Sequence, residues 1–286
     1  MAERVARLAS FSVVLFGVVL LVGAGWIAGI KPDADAYWLA AQRLRDGLPL
    51  YAASYGDEIE IYRYAPWFAY AWVPLTYLPK EAAFLIWRAL LLGGALGAAV
   101  PLLKLRTPAA LSLGILALGL LVSNLPAANV TALIVGALTL ALPGRWGPVA
   151  LGLAGSLKGF PLLFVAGYIA ERRWRDALVT LVVAGVLWLH ALAFDVSSYP
   201  TAFGGVSLYR VAPLVWPLVV ALTVAVIALL AWRRSPWTWL AIAAALPLVV
   251  PRIWLPDAAY FAPAAVMVLR GFERRSLTPT SRIGRL

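Results

Sequence analysis

The chain has 286 residues, of which 63% are hydrophobic and 13% are charged, and its mean hydropathy is +0.87. Soluble domains are about half apolar and about a quarter charged, so this composition excludes an ordinary soluble protein and predicts an all-α membrane protein. A net charge of +11 would suggest a nucleic-acid partner in a soluble protein. Here the positive-inside rule explains the charge, and no nucleic acid is expected as a partner.

Cysteine is absent from the sequence and histidine occurs once. These counts exclude disulfides, thiolate nucleophiles and cysteine-ligated metals, and they leave little basis for a metal site built by the protein. Neither a metal nor a cofactor is therefore expected. Because apolar spans take up almost the whole length, residues 1–286 are expected to form one membrane-embedded domain.

The first 30 residues predict a membrane anchor. Residues 1–10 are short and basic, and the apolar run over Phe11–Ile30 is too long for the core of a signal peptide. This run is expected to cross the membrane outward from a cytoplasmic N-terminus. Lys31–Pro66 is the longest polar interval and is expected to be an extracytoplasmic loop, in which a short interfacial helix ends at Gly47.

Apolar segments continue to the C-terminus. Ala65–Pro79 is short and interrupted by prolines, which predicts a re-entrant or interface-lying helix. The basic tail, residues 270–286, is expected to be cytoplasmic and mobile. Full crossings are expected at about Glu81–Leu103, Ala109–Asn124, Val130–Leu142, Ala177–Phe194, Ala212–Trp232, Trp237–Val250 and Ala259–Leu269.

The stretch between Arg145 and Arg172 has basic residues at both ends, which implies an even number of crossings. Two short helices that meet outside near Lys158 satisfy this rule. The alternative is a single span, with inverted topology for the rest of the chain. The first interpretation gives about ten crossings with both termini in the cytoplasm. The preference for Arg over Lys is typical of a GC-rich bacterium, whose inner membrane would hold the protein.

Two aspartates directly after the first apolar run are candidates for catalysis. Asp33 and Asp35 lie where a span would meet water, beside aromatic residues. A partly desolvated carboxylate there could remove a proton from an acceptor hydroxyl. The alternative is that both are ordinary surface acids.

Three basic residues are candidates for binding an anionic lipid headgroup. Lys158 interrupts an apolar hairpin together with a glycine and a proline, and Arg210 and Arg252 lie at the outer ends of later spans. Together they could form a basic pocket for a phosphate. The alternatives are a lysine that extends to the interface and arginines that anchor there.

Four segments of the chain resemble the polyprenyl-phosphate-mannose-dependent alpha-mannosyltransferases, glycosyltransferase family 87, which are membrane-embedded C-type glycosyltransferases. The segments are Asp33…Tyr37…Ala40-Ala41…Gly47…Leu50-Tyr51; Tyr62-Arg63-Tyr64-Ala65-Pro66 with Pro74 and Pro79; Asn129-Val130-Thr131-Ala132-Leu133 with Gly152 and Lys158-Gly159-Phe160-Pro161; and Pro251-Arg252…Tyr260. Two departures occur. Ala65 replaces a proline of the family's second segment, and Ala128–Thr131 stands where the family usually has Gly-Gln-x-Asn.

The resemblance implies an inverting transfer of a hexose, usually mannose, from a polyprenyl-phosphate donor to a lipid or glycan acceptor. The resemblance implies that Asp33 is the base. Asp35 is the alternative base if the alignment of the motif shifts by two residues. Membrane lipids are expected to surround the site. Lys158 and Arg252 would stabilise the leaving phosphate. The expected substrate-binding residues are Tyr37, Tyr64, Asn129, Thr131, Lys158, Arg210, Arg252 and Tyr260.

Two other functions are compatible with the same residues. A transporter or flippase of a lipid-linked or small polar substrate would also use interior charges, although no internal repeat stands out in the sequence. An inactive relative would keep the fold without the chemistry, and the altered Ala128–Thr131 segment leaves that alternative open.

Overall fold

The computed structural model of the protein describes residues 33–51, 62–105, 107–195, 208–250 and 255–276, without the side chains of Arg210, Leu255 and 271–276. Several sequence-based expectations lie outside the described residues. They are the cytoplasmic N-terminus 1–10, the Phe11–Ile30 anchor, part of the Lys31–Pro66 loop, Arg252 and the end of the tail.

The described residues are helices and their connections, with no strand among them, which confirms the all-α class. The α-helices are α1 (Asp33–Arg45), α2 (Pro66–Trp72), α3 (Lys80–Lys104), α4 (Pro108–Val122), α5 (Thr131–Ala141), α6 (Gly147–Lys158), α7 (Val165–Ala170), α8 (Trp174–Leu189), α9 (Leu208–Val211), α10 (Trp216–Trp232), α11 (Thr238–Val249) and α12 (Phe261–Ser276). Short 3-10 helices cover Val73–Tyr77, Phe160–Phe164, His190–Ala193 and Leu255–Tyr260.

Two helical stretches, Lys80–Lys104 and Trp174–Ala193, are long and apolar enough to cross a membrane. Helix α10 is shorter, and none of its residues is buried against the described parts of the chain. Trp232 at its end is 87% exposed. The outer surface of this helix is therefore apolar along its length.

Helices α3 and α5 are in close backbone contact. A methyl group added to Gly94 would lie 2.5 Å from the carbonyl oxygen of Ala132, and one added to Gly136 would overlap the carbonyl group of Gly94. Small residues allow helices to approach this closely in membrane proteins. The contact fixes the position of α5, whose first turn carries part of the candidate site.

Helix α1 differs from the interfacial helix that the sequence predicts. It begins at Asp33, and nearly every residue from Ala34 to Ala41 is buried, so it is a core helix rather than a surface one. The Tyr37 ring explains the difference, since it packs 5.0 Å from the ring of Phe68 and 5.8 Å from that of Trp87. Aromatic contacts of this kind bury the apolar face of α1 against other helices of the protein.

The stretch between Arg145 and Arg172 is divided into helical segments near Lys158, as the sequence predicts, and its two membrane crossings stay a prediction. Helix α6 ends at Lys158, and Gly159 follows with a φ of +72°, a conformation that favours glycine.

The end of the last helix differs from the expectation. Helix α12 continues to Ser276, beyond the expected end of the last crossing at Leu269, and the mobility of the tail stays a prediction.

Candidate active site

The connection between α4 and α5 holds the start of α1. The backbone N–H of Asp33 donates to the carbonyl of Ala127 at 2.6 Å. Ala128 has a φ of +50°, unusual for a residue with a side chain, and its carbonyl accepts from the indole N–H of Trp87 at 2.8 Å. These contacts fix the backbone turn that places Asn129 beside α1.

Asn129 connects the Asp33 carboxylate to two other side chains. Its amide nitrogen donates a short hydrogen bond to Oδ2 of Asp33 and a longer one, 3.3 Å, to the hydroxyl of Tyr64. Its amide oxygen accepts from the backbone N–H of Thr131 at 3.0 Å and from the Thr131 hydroxyl at 2.7 Å. With two donors on the oxygen, the NH₂ group must face Asp33 and Tyr64.

Tyr37 and Tyr64 form a hydroxyl pair next to Asp33. The Tyr37 hydroxyl accepts from the backbone N–H of Val130 at 3.4 Å and donates to the Tyr64 hydroxyl at 3.0 Å. Tyr64 thus accepts from Tyr37 and from Asn129, so its own proton is available for a further acceptor. Burial raises the pKa of both phenols, and the nearby Asp33 charge raises each further. Both hydroxyls are therefore neutral donors near neutral pH.

Lys158 and Asp257 form a buried ion pair on the other side of Thr131. The Lys158 ammonium lies 3.0 Å from Oδ1 of Asp257 and 2.6 Å from the Thr131 hydroxyl oxygen. Their side chains are 11% and 3% exposed. Lys158 is therefore neither extended to the interface nor an uncompensated cation, and a phosphate near it would meet a pair of zero net charge.

Asp35 lies outside this network. It is 7% exposed and pairs with the Lys80 ammonium, which lies 2.5 Å from its Oδ1 at the start of α3. Asp33 and Asp35 follow the same apolar run in the sequence, yet the fold separates their partners. Of these two aspartates, only Asp33 is bonded to Asn129 in the described part of the chain.

The structure brings most of the sequence-predicted site residues together. Asp33, Tyr37, Tyr64, Asn129, Thr131 and Lys158 form one continuous network of hydrogen bonds. Tyr260 lies next to it, with its ring 5.0 Å from that of Phe160, and its buried hydroxyl has no hydrogen-bond partner among the described residues. Arg210 is on the short helix α9, but its side chain and the whole of Arg252 lie outside what is described.

Three aromatic residues near the site, Tyr62, Trp67 and Trp72, pack against the interior of the protein. Tyr62 and Trp72 are fully or almost fully buried. Trp67 donates its indole N–H to the Ser156 hydroxyl at 3.0 Å. These three residues therefore pack beneath the site and stabilise its position.

Asp257 is the member of the network that the sequence analysis did not identify. It lies in the 3-10 helix Leu255–Tyr260, far along the chain from Lys158. One signal could have found it: a lysine in an apolar hairpin needs a counter-charge, and acids are scarce in the second half of the sequence. Among the described residues, no three His, Asp or Glu side chains are grouped so that they could hold a metal ion.

Comparison with protein-family models, with curated proteins and with solved structures finds no match to this chain.

Proposed function

We propose that this chain is a polytopic membrane glycosyltransferase. It transfers a hexose from a polyprenyl-phosphate donor to a lipid or glycan acceptor on the extracytoplasmic side. The resemblance of its motifs indicates that this hexose is mannose. The observation that carries the proposal is the Asp33 carboxylate held by Asn129 beside two neutral tyrosine hydroxyls. Burying polar and charged groups in an apolar membrane protein is costly, and such groups therefore mark functional sites.

The membrane part of the proposal is supported by exposed apolar surface as well as by the two long helices. Helix α10 turns apolar side chains outward along its whole length, and lipid would cover them. The basic turn at Arg173 contacts the start of α11 through Glu171, which accepts from the indole N–H of Trp239 at 2.7 Å. This contact brings together two segments assigned to the cytoplasmic side. We therefore propose about ten crossings of a bacterial inner membrane with both termini in the cytoplasm.

The chemistry assigns a role to each part of the network. The acceptor hydroxyl oxygen bonds to the anomeric carbon, the bond from that carbon to the phosphate oxygen breaks, and the hydroxyl proton passes to Asp33. Tyr64, with a proton to donate, can bind an oxygen of the sugar or the phosphate. Basic groups near the lipid phosphate stabilise the leaving group, a role that suits Arg252 better than Lys158 because Lys158 is already paired with Asp257.

A transporter is the second candidate, and the buried Lys158–Asp257 pair is the observation that favours it. Ion pairs inside membrane proteins often line a substrate pathway. A transporter would move the lipid-linked sugar across the membrane without breaking the bond to phosphate. The two functions therefore differ in their products.

The experiment is sugar transfer by the purified protein in lipid vesicles. Polyprenyl-phosphate mannose, polyprenyl-phosphate glucose and a nucleotide-linked mannose are supplied separately with a bacterial lipid extract as acceptor. The proposal predicts glycosylated product from a lipid-linked sugar and none from the nucleotide sugar. Movement of an intact donor across the vesicle membrane would indicate the transporter, and neither transfer nor movement would indicate an inactive relative.

A further inference from the structure

We propose that Asp257 is a positioning residue: together with Lys158 it holds the Thr131 hydroxyl against the amide oxygen of Asn129, so that the Asn129 NH₂ group faces Asp33 and Tyr64. The proposal rests on the proposed function for its catalytic consequence. Its structural part, the dependence of Asn129 on Asp257, stands independently of any activity.

The first step of the argument concerns the single proton of the Thr131 hydroxyl. Two acceptors are within reach, the Asn129 amide oxygen at 2.7 Å and Oδ1 of Asp257 at 3.1 Å. A hydroxyl donates to one acceptor at a time. The choice between them decides whether Thr131 supports Asn129.

Lys158 favours the bond from Thr131 to Asn129. Its ammonium donates to Oδ1 of Asp257 at 3.0 Å and so occupies one acceptor site of the oxygen that competes for the Thr131 proton, which is also the more distant of the two acceptors. It also donates to the Thr131 oxygen at 2.6 Å, so that oxygen is an acceptor and its proton is directed toward Asn129. Asp257 keeps Lys158 in this place, because a buried ammonium without its carboxylate would move toward water.

The second step concerns the orientation of the Asn129 amide. An asparagine side chain turned by 180° would present its oxygen to Asp33, and two acceptors would then face each other. The Thr131 hydroxyl and backbone N–H both occupy the amide oxygen and prevent this rotation. A chain of contacts therefore runs from Asp257 through Thr131 and Asn129 to the carboxylate proposed as the base.

The catalytic test compares Thr131→Val with Thr131→Ser. Valine has nearly the same shape but lacks the hydroxyl, and serine keeps it. Thr131→Val should lower kcat by roughly 10²-fold with little change in KM, as misplacement of a reacting group does. Thr131→Ser should restore most of the rate. Thr139→Val is the matched control, because Thr139 is equally buried on the same helix and its hydroxyl donates, within the described part of the chain, to the Val135 carbonyl alone.

Asp257→Asn provides the second catalytic comparison. Positioning predicts a lower kcat with an unchanged KM for the donor. A lower KM with an unchanged kcat would mean that Asp257 only masks the charge of Lys158, and it would overturn the proposal. Asp176→Asn is its control. Asp176 also pairs with a basic residue, Arg173, but it lies in the first turn of α8, on the side of the protein assigned to the cytoplasm.

A stability measurement decides the structural part without any activity. The unfolding temperature is measured for Asp257→Asn, for Asn129→Ala and for the double variant, first with Thr131 intact and then in a Thr131→Val background. The described hydrogen bonds connect Asp257 to Asn129 through Thr131, so the effects should be non-additive only while the Thr131 hydroxyl is present. Additive effects in both backgrounds would overturn the positioning role, whereas an absence of sugar transfer by the wild type with non-additive effects would overturn only the proposed function.

Discussion

The Lys80 ammonium lies 2.5 Å from Oδ1 of Asp35, and this ion pair joins α1 to the first residue of α3. Asp35 is almost buried, whereas the Lys80 side chain is 42% exposed. The pair gives the second aspartate a structural explanation. It also leaves Asp33 as the carboxylate in contact with Asn129.

Removing the two partners of this pair should have unequal effects. Lys80→Met leaves the buried carboxylate of Asp35 without its cation and should lower the free energy of unfolding by about 1–3 kcal/mol. Asp35→Asn removes the charge and keeps the shape, so its cost should be smaller. Thermal unfolding of the detergent-solubilised protein measures both. A larger loss in Asp35→Asn than in Lys80→Met would contradict the assignment.

The contact between α3 and α5 predicts a strong effect of one methyl group. Gly136→Ala places that group against the backbone of Gly94, and backbone atoms cannot move aside as side chains do. The expected loss of stability is about 1–3 kcal/mol, as in other overpacked cores. Gly93→Ala is the control: Gly93 lies on α3 next to Gly94 but faces away from α5, and a methyl group there meets no atom within 4 Å. An equal effect of the two substitutions on the unfolding temperature would refute the close contact.

Alkaline pH should destabilise the protein through its buried tyrosines. Burial raises the pKa of Tyr37 and Tyr64 above the usual value of about 10. The folded protein therefore keeps protons that the unfolded chain loses above about pH 10, and stability falls as the pH rises through that range. Tyr64→Phe removes one such proton, so its unfolding temperature should decline less steeply with pH than that of the wild type. Identical slopes would contradict the burial of this hydroxyl.

Membrane topology can be tested with single cysteines, since the sequence contains none. Leu48→Cys should react with a membrane-impermeant thiol reagent in intact cells, because residue 48 is exposed and assigned to the outer loop. Arg172→Cys should react only after the membrane is permeabilised. Labelling of Arg172→Cys in intact cells would favour the alternative topology, in which residues 147–170 form a single span.

The sequence predicts the helices well because their determinants are local. Apolar length and the prolines and glycines at the ends define α3 and the break after Lys158 to within a few residues. The burial of α1 could not be predicted in this way. It depends on Tyr37 meeting rings from α2 and α3, which are separated from it in the sequence.

The candidate site is likewise only partly readable from the sequence. The resemblance selected Asp33, Asn129, Thr131 and Lys158, and the fold places them in one network. Asp257 was missed because an ion pair between residues 99 positions apart has no local pattern. The choice between Asp33 and Asp35 also needed the structure, since these two residues of the first turn of α1 face different partners.

Sugar transfer by Asp33→Asn and Asp35→Asn, measured beside the wild type with polyprenyl-phosphate mannose in lipid vesicles, tests the central claim most directly. A general base contributes roughly 10²–10⁴-fold to a rate. The turnover of Asp33→Asn should therefore fall at least about 10²-fold, while its unfolding temperature stays near that of the wild type. Asp35→Asn should retain turnover. Full turnover by a folded Asp33→Asn, or loss confined to Asp35→Asn, would contradict the account.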